Sequence, residues 1–229
     1  MKSKYSVIFF ARKNDFYSEK VLSILKKNFF TIKTIWIDKN NKNKRIKKKF
    51  FNKDILISYR SYYIFKKKEL DLIKKIAINF HPGPPKYRGY GCANYAIYNQ
   101  DETYGVTCHI MNSKIDKGKI IDVNKFKISQ LITLDDLLKR TYKCQISQVK
   151  KVIKKLIKKK FEYKNYKKFF SCSEIWSKKL GTKKKLDNFY MISRKIKKEK
   201  FLKIIQATNN KNYKPYLYIF GKKFTLNSE

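Results

Sequence analysis

A chain of 229 residues buries one substantial core but not two full domains, and 42% apolar with 16% aromatic residues excludes a disordered composition despite 32% charge. No apolar run reaches the roughly 18 residues of a membrane-spanning helix or the about 7 to 15 of a signal-peptide core, so no membrane association and a cytoplasmic location are expected. The formal net charge of +40 taken alone would point to nucleic acid, but only six of the 57 basic residues are arginines.

The remaining basic residues are lysines spread among abundant Asn, Ile, Tyr and Phe, the residues with the most A/T-rich codons. Compositional drift therefore accounts for much of the charge, and a nucleic-acid partner is not expected. The positive field that remains would attract an anionic small molecule. Cys92, Cys108, Cys144 and Cys172 show neither a Cys-x-x-Cys pair nor zinc-finger spacing, so they read as free thiols and no metal is implied.

In chain order, residues 6–10 read as a buried strand, 16–27 as a helix with Val21, Leu25 and Leu22 on one face, and 34–37 as a second strand. Residues 54–58 and 76–80 are two more strands, separated by a helical stretch at 67–75. This alternation predicts an α/β fold, a mostly parallel sheet with helices on both faces. The first strand is followed by no Gly-x-Gly-x-x-Gly, which disfavours a dinucleotide cofactor. Thr133-Leu134-Asp135-Asp136 has the spacing of a capping box and opens a long amphipathic helix, with Leu137, Val149, Val152, Ile153 and Leu156 on its buried side. After residue 160 the chain reads as irregular and lysine-rich, then as a helix at 201–207 and a hairpin at 216–226 broken by Gly221-Lys222. We expect a catalytic domain over residues 1–160 and a C-terminal extension over 161–229.

Residues 79–118 differ from their surroundings. They hold four of the 57 basic residues, yet three of the four prolines (Pro82, Pro84, Pro85), five of the seven glycines and both histidines, His81 and His109. Glycine and proline set special backbone angles and histidine titrates near neutrality, so this is the place to look for a shaped site with acid-base chemistry. Asn79 and His81, two apart at the end of a predicted parallel strand, point to one side at the carboxyl edge where open α/β sheets bind ligands. An amide and an imidazole there can stabilise an oxyanion and manage a proton in acyl transfer; the competing reading is that they satisfy turn backbone.

The run Asn79-Phe80-His81-Pro82-Gly83-Pro84-Pro85-Lys86-Tyr87-Arg88-Gly89, followed by Gly105-Val106-Thr107-Cys108-His109 and Ile115-Asp116-Lys117-Gly118, resembles the formyltransferase family that uses 10-formyltetrahydrofolate. The resemblance implies a Rossmann-like catalytic domain, with Asn79, His81 and Asp116 as the catalytic trio. It implies folate along Ser58, Tyr59, Tyr62 and Ile64, and an acceptor near Lys86, Tyr87, Gly89 and Tyr90. The loop wording, with Gly91-Cys92-Ala93-Asn94-Tyr95, is most similar to the small sugar N-formyltransferases. The acceptor this implies is a nucleotide-linked amino sugar such as dTDP-4-amino-4,6-dideoxyglucose, destined for surface polysaccharide. The aromatic hairpin would be a homodimer face, as in relatives, or would cover the core. His109 reads as a strand residue near the site, and Trp176 as either a base-stacking or a core residue. The alternatives are a methionyl-tRNA or glycinamide-ribonucleotide formyltransferase, or a non-catalytic basic RNA-binding protein on the same scaffold. The short stretch after the long helix argues against the tRNA enzyme's second domain.

Overall fold

The computed structural model describes residues 2–41, 43–161, 172–211 and 213–226. Residues 162–171, part of the stretch read as irregular and lysine-rich, lie outside them. The strands Val7–Arg12 (β1), Ile32–Ile37 (β2), Ile55–Tyr59 (β3) and Ile76–His81 (β4) are joined through the helices Phe16–Asn28 (α1) and Lys67–Leu70 (α2). The two-residue strand Arg88–Gly89 (β5) and helix Cys92–Tyr98 (α3) precede strands Thr103–Ile110 (β6) and Ile120–Lys127 (β7) and the long helix Leu134–Lys158 (α4). Leu180–Gly181 (β8), Lys183–Tyr190 (α5), Lys198–Thr208 (α6) and the hairpin Tyr216–Ile219 (β9) and Lys222–Thr225 (β10) complete the described chain.

The main sheet has the order β2-β1-β3-β4-β6-β7. Its first four strands are parallel, and β6 and β7 run antiparallel. Because β1 and β3 are covered on both faces they are apolar almost throughout, and their side chains alternate between two cores. Val7, Phe9, Ile55, Ile57 and Ile78 pack under α1 and α4, meeting Val21, Leu25, Val149, Val152 and Ile153. Ile8, Phe10 and Leu56 face the other way against Phe51, Tyr63 and Phe65, beneath the 3-10 turn Lys48–Phe50 and α2. The Thr133 side chain accepts from the Asp136 amide and caps α4 as the sequence predicts, and Asp135 and Asp136 lie in its first turn, where the helix dipole favours them. No helix among the described residues is long and apolar enough to cross a membrane.

Two details differ from the sequence expectation. The predicted helix at 67–75 stops at Leu70, because the amides of Lys74, Lys75 and Ile76 donate to the carbonyls of Lys53 and Asp54 and draw the chain into β4. The helices α3 and α5 were not foreseen, and α3 is held by the C-terminal part of the chain. The Asn94 amide donates to the Ala207 carbonyl at 2.7 Å, while Ala207 packs with Ala93, Ala96 and Leu137. A second tie is the pairing of β5 with β8, Arg88 beside Leu180 and Gly89 beside Gly181, which fastens residues 180–181 to the Pro/Gly loop.

Candidate active site

The carboxyl ends of β1, β3 and β4 open into a cavity of about 310 Å³, lined among others by Ser58, Asn79, His81, Gly89, His109 and Asp116. Three separate elements bring the polar groups together. Asn79 and His81 come from the end of β4, and the antiparallel register of β4 with β6 sets His109 directly opposite Asn79. Asp116 comes from the β6–β7 turn, at a positive φ of 42°, a conformation that aspartate tolerates better than most residues.

That turn is held from two sides. The Arg88 guanidinium donates to the carbonyls of Asp116 (2.6 Å), Ile115 (2.8 Å) and Ser177 (3.1 Å), binding the turn to the Pro/Gly loop and to the C-terminal segment. Gly118 brings the backbone so close to β6 that a Cβ there would stand 1.6 Å from the Ile110 carbonyl oxygen. Its own carbonyl accepts from the Trp176 indole at 2.6 Å.

Within the cluster, Asp116 is the hub. Its Oδ2 lies 3.2 Å from His81 Nδ1 and accepts from the Gly89 amide at 3.0 Å. Its Oδ1 lies 3.4 Å from both Asn79 Nδ2 and His109 Nε2. Asn79 Nδ2 is also 3.1 Å from His109 Nε2, whose other ring nitrogen faces the Ile110 carbonyl at 3.0 Å. His81 Nε2 faces the Tyr87 carbonyl at 2.7 Å, with the Cys92 thiol 3.6 Å away. Both nitrogens of His81 therefore face acceptors, which suits a ring protonated at both positions.

The electrostatics agree. Burial disfavours charge on His81, but the Asp116 carboxylate and the Cys92 thiol outweigh it and hold the imidazole pKa well above its usual range. Burial likewise disfavours the Asp116 carboxylate, but His81, with His109, keeps it ionised well below the usual range. The cluster is thus a buried imidazolium–carboxylate pair with an amide on its cavity side.

Of the expected ligand-contacting residues, Ser58, Tyr62, Ile64, Gly89 and Tyr90 line this cavity. Three do not. Tyr59 is fully buried in the core under α1 and α4, because alternation along β3 turns it to the opposite face from Ser58. Lys86 is exposed and ion-paired with Asp101 at 2.6 Å, and the Tyr87 hydroxyl also donates to Asp101, so both side chains point away. Tyr87 still contributes the backbone carbonyl that meets His81. Trp176 packs edge-on against both histidines, 5.6 Å from His81 and 5.2 Å from His109, as a wall behind the cluster. Cys92 and Arg88 are not read as site residues from the sequence, and His109 is read only as a strand residue near the site. His109 carried one signal, its place in the Gly-x-Thr-x-His strand, whereas nothing in the sequence pairs Cys92 or Arg88 with the cluster.

Comparison with known proteins supplies the context for this arrangement. The formyl transferase family model matches residues 35–153, just over half of the chain. The methionyl-tRNA formyltransferase of Borreliella burgdorferi (strain ZS7) is 37% identical over 108 residues, 47% of this chain and 35% of that protein, so the match spans about a third of the relative's length. Among solved structures, a sugar N-formyltransferase from Shewanella sp. superposes over 97% of both chains with a TM-score of 0.77 at 15% identity. The N-formyltransferase of Helicobacter canadensis, solved with folinic acid and dTDP-3-aminofucose, matches 90% of this chain and 80% of its own with a TM-score of 0.68 at 20% identity. The fold is that of these structures, and the matched residues include Asn79, His81, His109 and Asp116; the chain belongs to the formyl transferase family.

Proposed function

We propose that the protein moves a formyl group from 10-formyltetrahydrofolate to the amine of a nucleotide-linked amino sugar, with dTDP-4-amino-4,6-dideoxyglucose as the first acceptor to try. The observation that carries this reading is the convergence of Asn79, His81 and Asp116 on one cavity at the carboxyl edge of the sheet. It is supported by the near-complete overlap in fold with sugar N-formyltransferases and by the folinic acid and dTDP-aminofucose bound to the Helicobacter protein. In this reading residues 1–160 form the catalytic domain and residues 161–229 an extension that buttresses it through Ala207 and the β5–β8 pairing. A second copy of the chain on the aromatic hairpin would complete a homodimer.

The donor supplies a formyl group on nitrogen, and transfer moves one proton from the attacking amine to the departing nitrogen. The Asn79 amide lines the cavity and, turning one N–H from its 3.4 Å contact with Asp116, would hold the formyl oxygen as negative charge develops there. Its donation therefore strengthens along the reaction and lowers the barrier rather than merely binding the ground state. The protonated His81 directs its two ring N–H groups to Asp116 and to the Tyr87 carbonyl, so it favours the same developing anion through its positive charge. Asp116, held well below the usual carboxylate range, is a weak base and a strong counter-ion, so its orienting role is favoured over proton abstraction. Residues 58–64 offer backbone amides and carbonyls to the folate ring, with Tyr62 and Ile64 beside it.

The test incubates the purified protein with 10-formyltetrahydrofolate and a panel of dTDP-, UDP- and GDP-linked amino sugars and reads product mass. Formylated product with one acceptor, and an Asn79→Ala variant that folds but turns over about 10² to 10³ times more slowly, is the expected result. Absence of product with every acceptor removes the reading.

A further inference from the structure

The cavity has a second polar end that the catalytic cluster does not use. Arg12, the last residue of β1, and Arg60, one residue past β3, both line it. In the sheet order β1-β3-β4, Ala11 pairs with Tyr59 and Tyr59 with Phe80. Arg12, Arg60 and His81 therefore follow at one level on three neighbouring strands, with the backbones of Arg60 and Arg12 roughly 5 and 10 Å from that of His81.

Neither guanidinium is fully used by the protein. Arg12 rests on the Tyr62 ring, its carbon 4.6 Å from the ring centre, and among the described residues it has no carboxylate within ion-pairing distance. Its Nε is buried without a partner. The Arg60 side chain is 7% exposed and lies 3.4 Å from the centre of the Tyr142 ring; one nitrogen meets Asp15 at 3.1 Å, while Nε and Nη1 are buried and unpartnered. Buried N–H donors without acceptors are costly, and the φ of +52° at Arg60 adds local strain, a pattern found where a ligand completes the hydrogen bonding. Residue type adds weight. In a chain with six arginines among 57 basic residues, two line this one cavity, Arg12 on its Tyr62 side and Arg60 on its Tyr142 side. The planar fork suits carboxylate and phosphate in a way an ammonium does not.

We propose that Arg12 and Arg60 form an oxyanion-binding subsite on the β1–β3 side of the cavity. It rests on the formyl-transfer reading for the identity of its ligand, which carries the oxyanion about one sugar ring or one aromatic ring from the reacting nitrogen. The group held is either a phosphate of the nucleotide-linked acceptor or a glutamyl carboxylate of the folate donor.

Calorimetric titration of the full chain with dTDP, with folinic acid and with inorganic pyrophosphate tests this and separates the two sources. In Arg12→Ala and Arg12→Gln, one of the first two ligands is expected to bind about tenfold to hundredfold more weakly, with the unfolding temperature unchanged. The ligand that loses affinity identifies the anion. On the wild-type protein the same ligand should bind more weakly as salt rises, a readout that needs no variant to fold. Equal affinity of both ligands for wild type and variants, or salt-independent binding, overturns the subsite. If the wild type binds neither dTDP nor folinic acid, the formyl-transfer reading falls and pyrophosphate decides alone. Binding that Arg12→Gln abolishes then supports an oxyanion site of other use, and no binding overturns it.

Discussion

At Asp116, two unfavourable terms, burial of a charge and a left-handed backbone, are tolerated because four polar neighbours converge on one carboxylate. The pair it makes with His81 has a definite pH signature. The raised His81 pKa gives stability that is complete below its unfolded value of 6.5 and lost as pH rises through the higher folded value. The lowered Asp116 pKa gives stability that is complete above 3.8 and lost as pH falls through the lower folded value. Asp116→Asn should therefore destabilise most between about pH 4 and 6.5, by roughly 3 kcal/mol, and by less on either side. With its counter-ion gone, burial is opposed only by the Cys92 thiol, so the His81 ring should titrate lower than in the wild type by NMR. A His81 titration unchanged in Asp116→Asn would show that the pair is not coupled. In the sequence, Asn79 and His81 stand out by residue type and position, and Asp116 through the resemblance to the formyltransferase family. His109 could not be placed against Asn79 in the same way, because their contact depends on the β4–β6 register between residues 30 apart, and alternation along a single strand does not fix register.

At the scale of elements, what the sequence shows is periodicity. Continuous apolar runs in β1 and β3 and the capped, amphipathic α4 are visible because burial on both faces, or on one stripe, dictates residue type directly. The truncated α2 and the C-terminal support of α3 depend on contacts far along the chain, from Lys53 to Lys74 and from Asn94 to Ala207, so no local pattern announces them. Turn chemistry lies between, and two glycines separate its two physical origins. Gly118→Ala would force a Cβ to 1.6 Å from the Ile110 carbonyl, so the Asp116 turn must shift, breaking the Trp176 bond to residue 118 and uncoupling Asp116 from His81. Gly221→Ala meets nothing within 4 Å but sits at φ +76°, so its cost is conformational, about 1 to 2 kcal/mol. Comparing the two variants by near-ultraviolet dichroism and by turnover should show a changed tryptophan signal and lost activity in the first only. Activity retained in Gly118→Ala would mean that this close approach does not position the carboxylate.

Over the whole molecule the +40 charge is distributed rather than focused. Lys150, Lys151, Lys154 and Lys155 cover the exposed side of α4, opposite the stripe that packs on the sheet. Within the cavity the basic residues are instead mostly arginine, so the charge proposed for recognition differs in kind from the charge that covers surface. The apolar surface is less evenly spread. On the hairpin, whose strands have four residues each, Phe220 in the turn is 91% exposed, Phe224 48% and Tyr218 47%. A ribbon that short is marginal on its own, and among the described residues its lateral hydrogen bonds are few: the Ile192 amide to the Tyr216 carbonyl, the Tyr216 hydroxyl to the Asp187 carbonyl, and Arg194 to the Tyr218 carbonyl. The register pairs Phe224 with Leu217 on one face of the ribbon and Tyr218 with Lys223 on the other; burying the Leu217–Phe224 face and the turn's Phe220 against a second copy would stabilise both ribbons at once, which is the physical case for the proposed homodimer. Sedimentation at micromolar concentration should then show a dimer for the wild type and a monomer for Phe220→Asp, the substitution replacing the exposed ring by a carboxylate without touching the cavity. A wild-type monomer under those conditions would show that the hairpin's aromatics face solvent without a second copy.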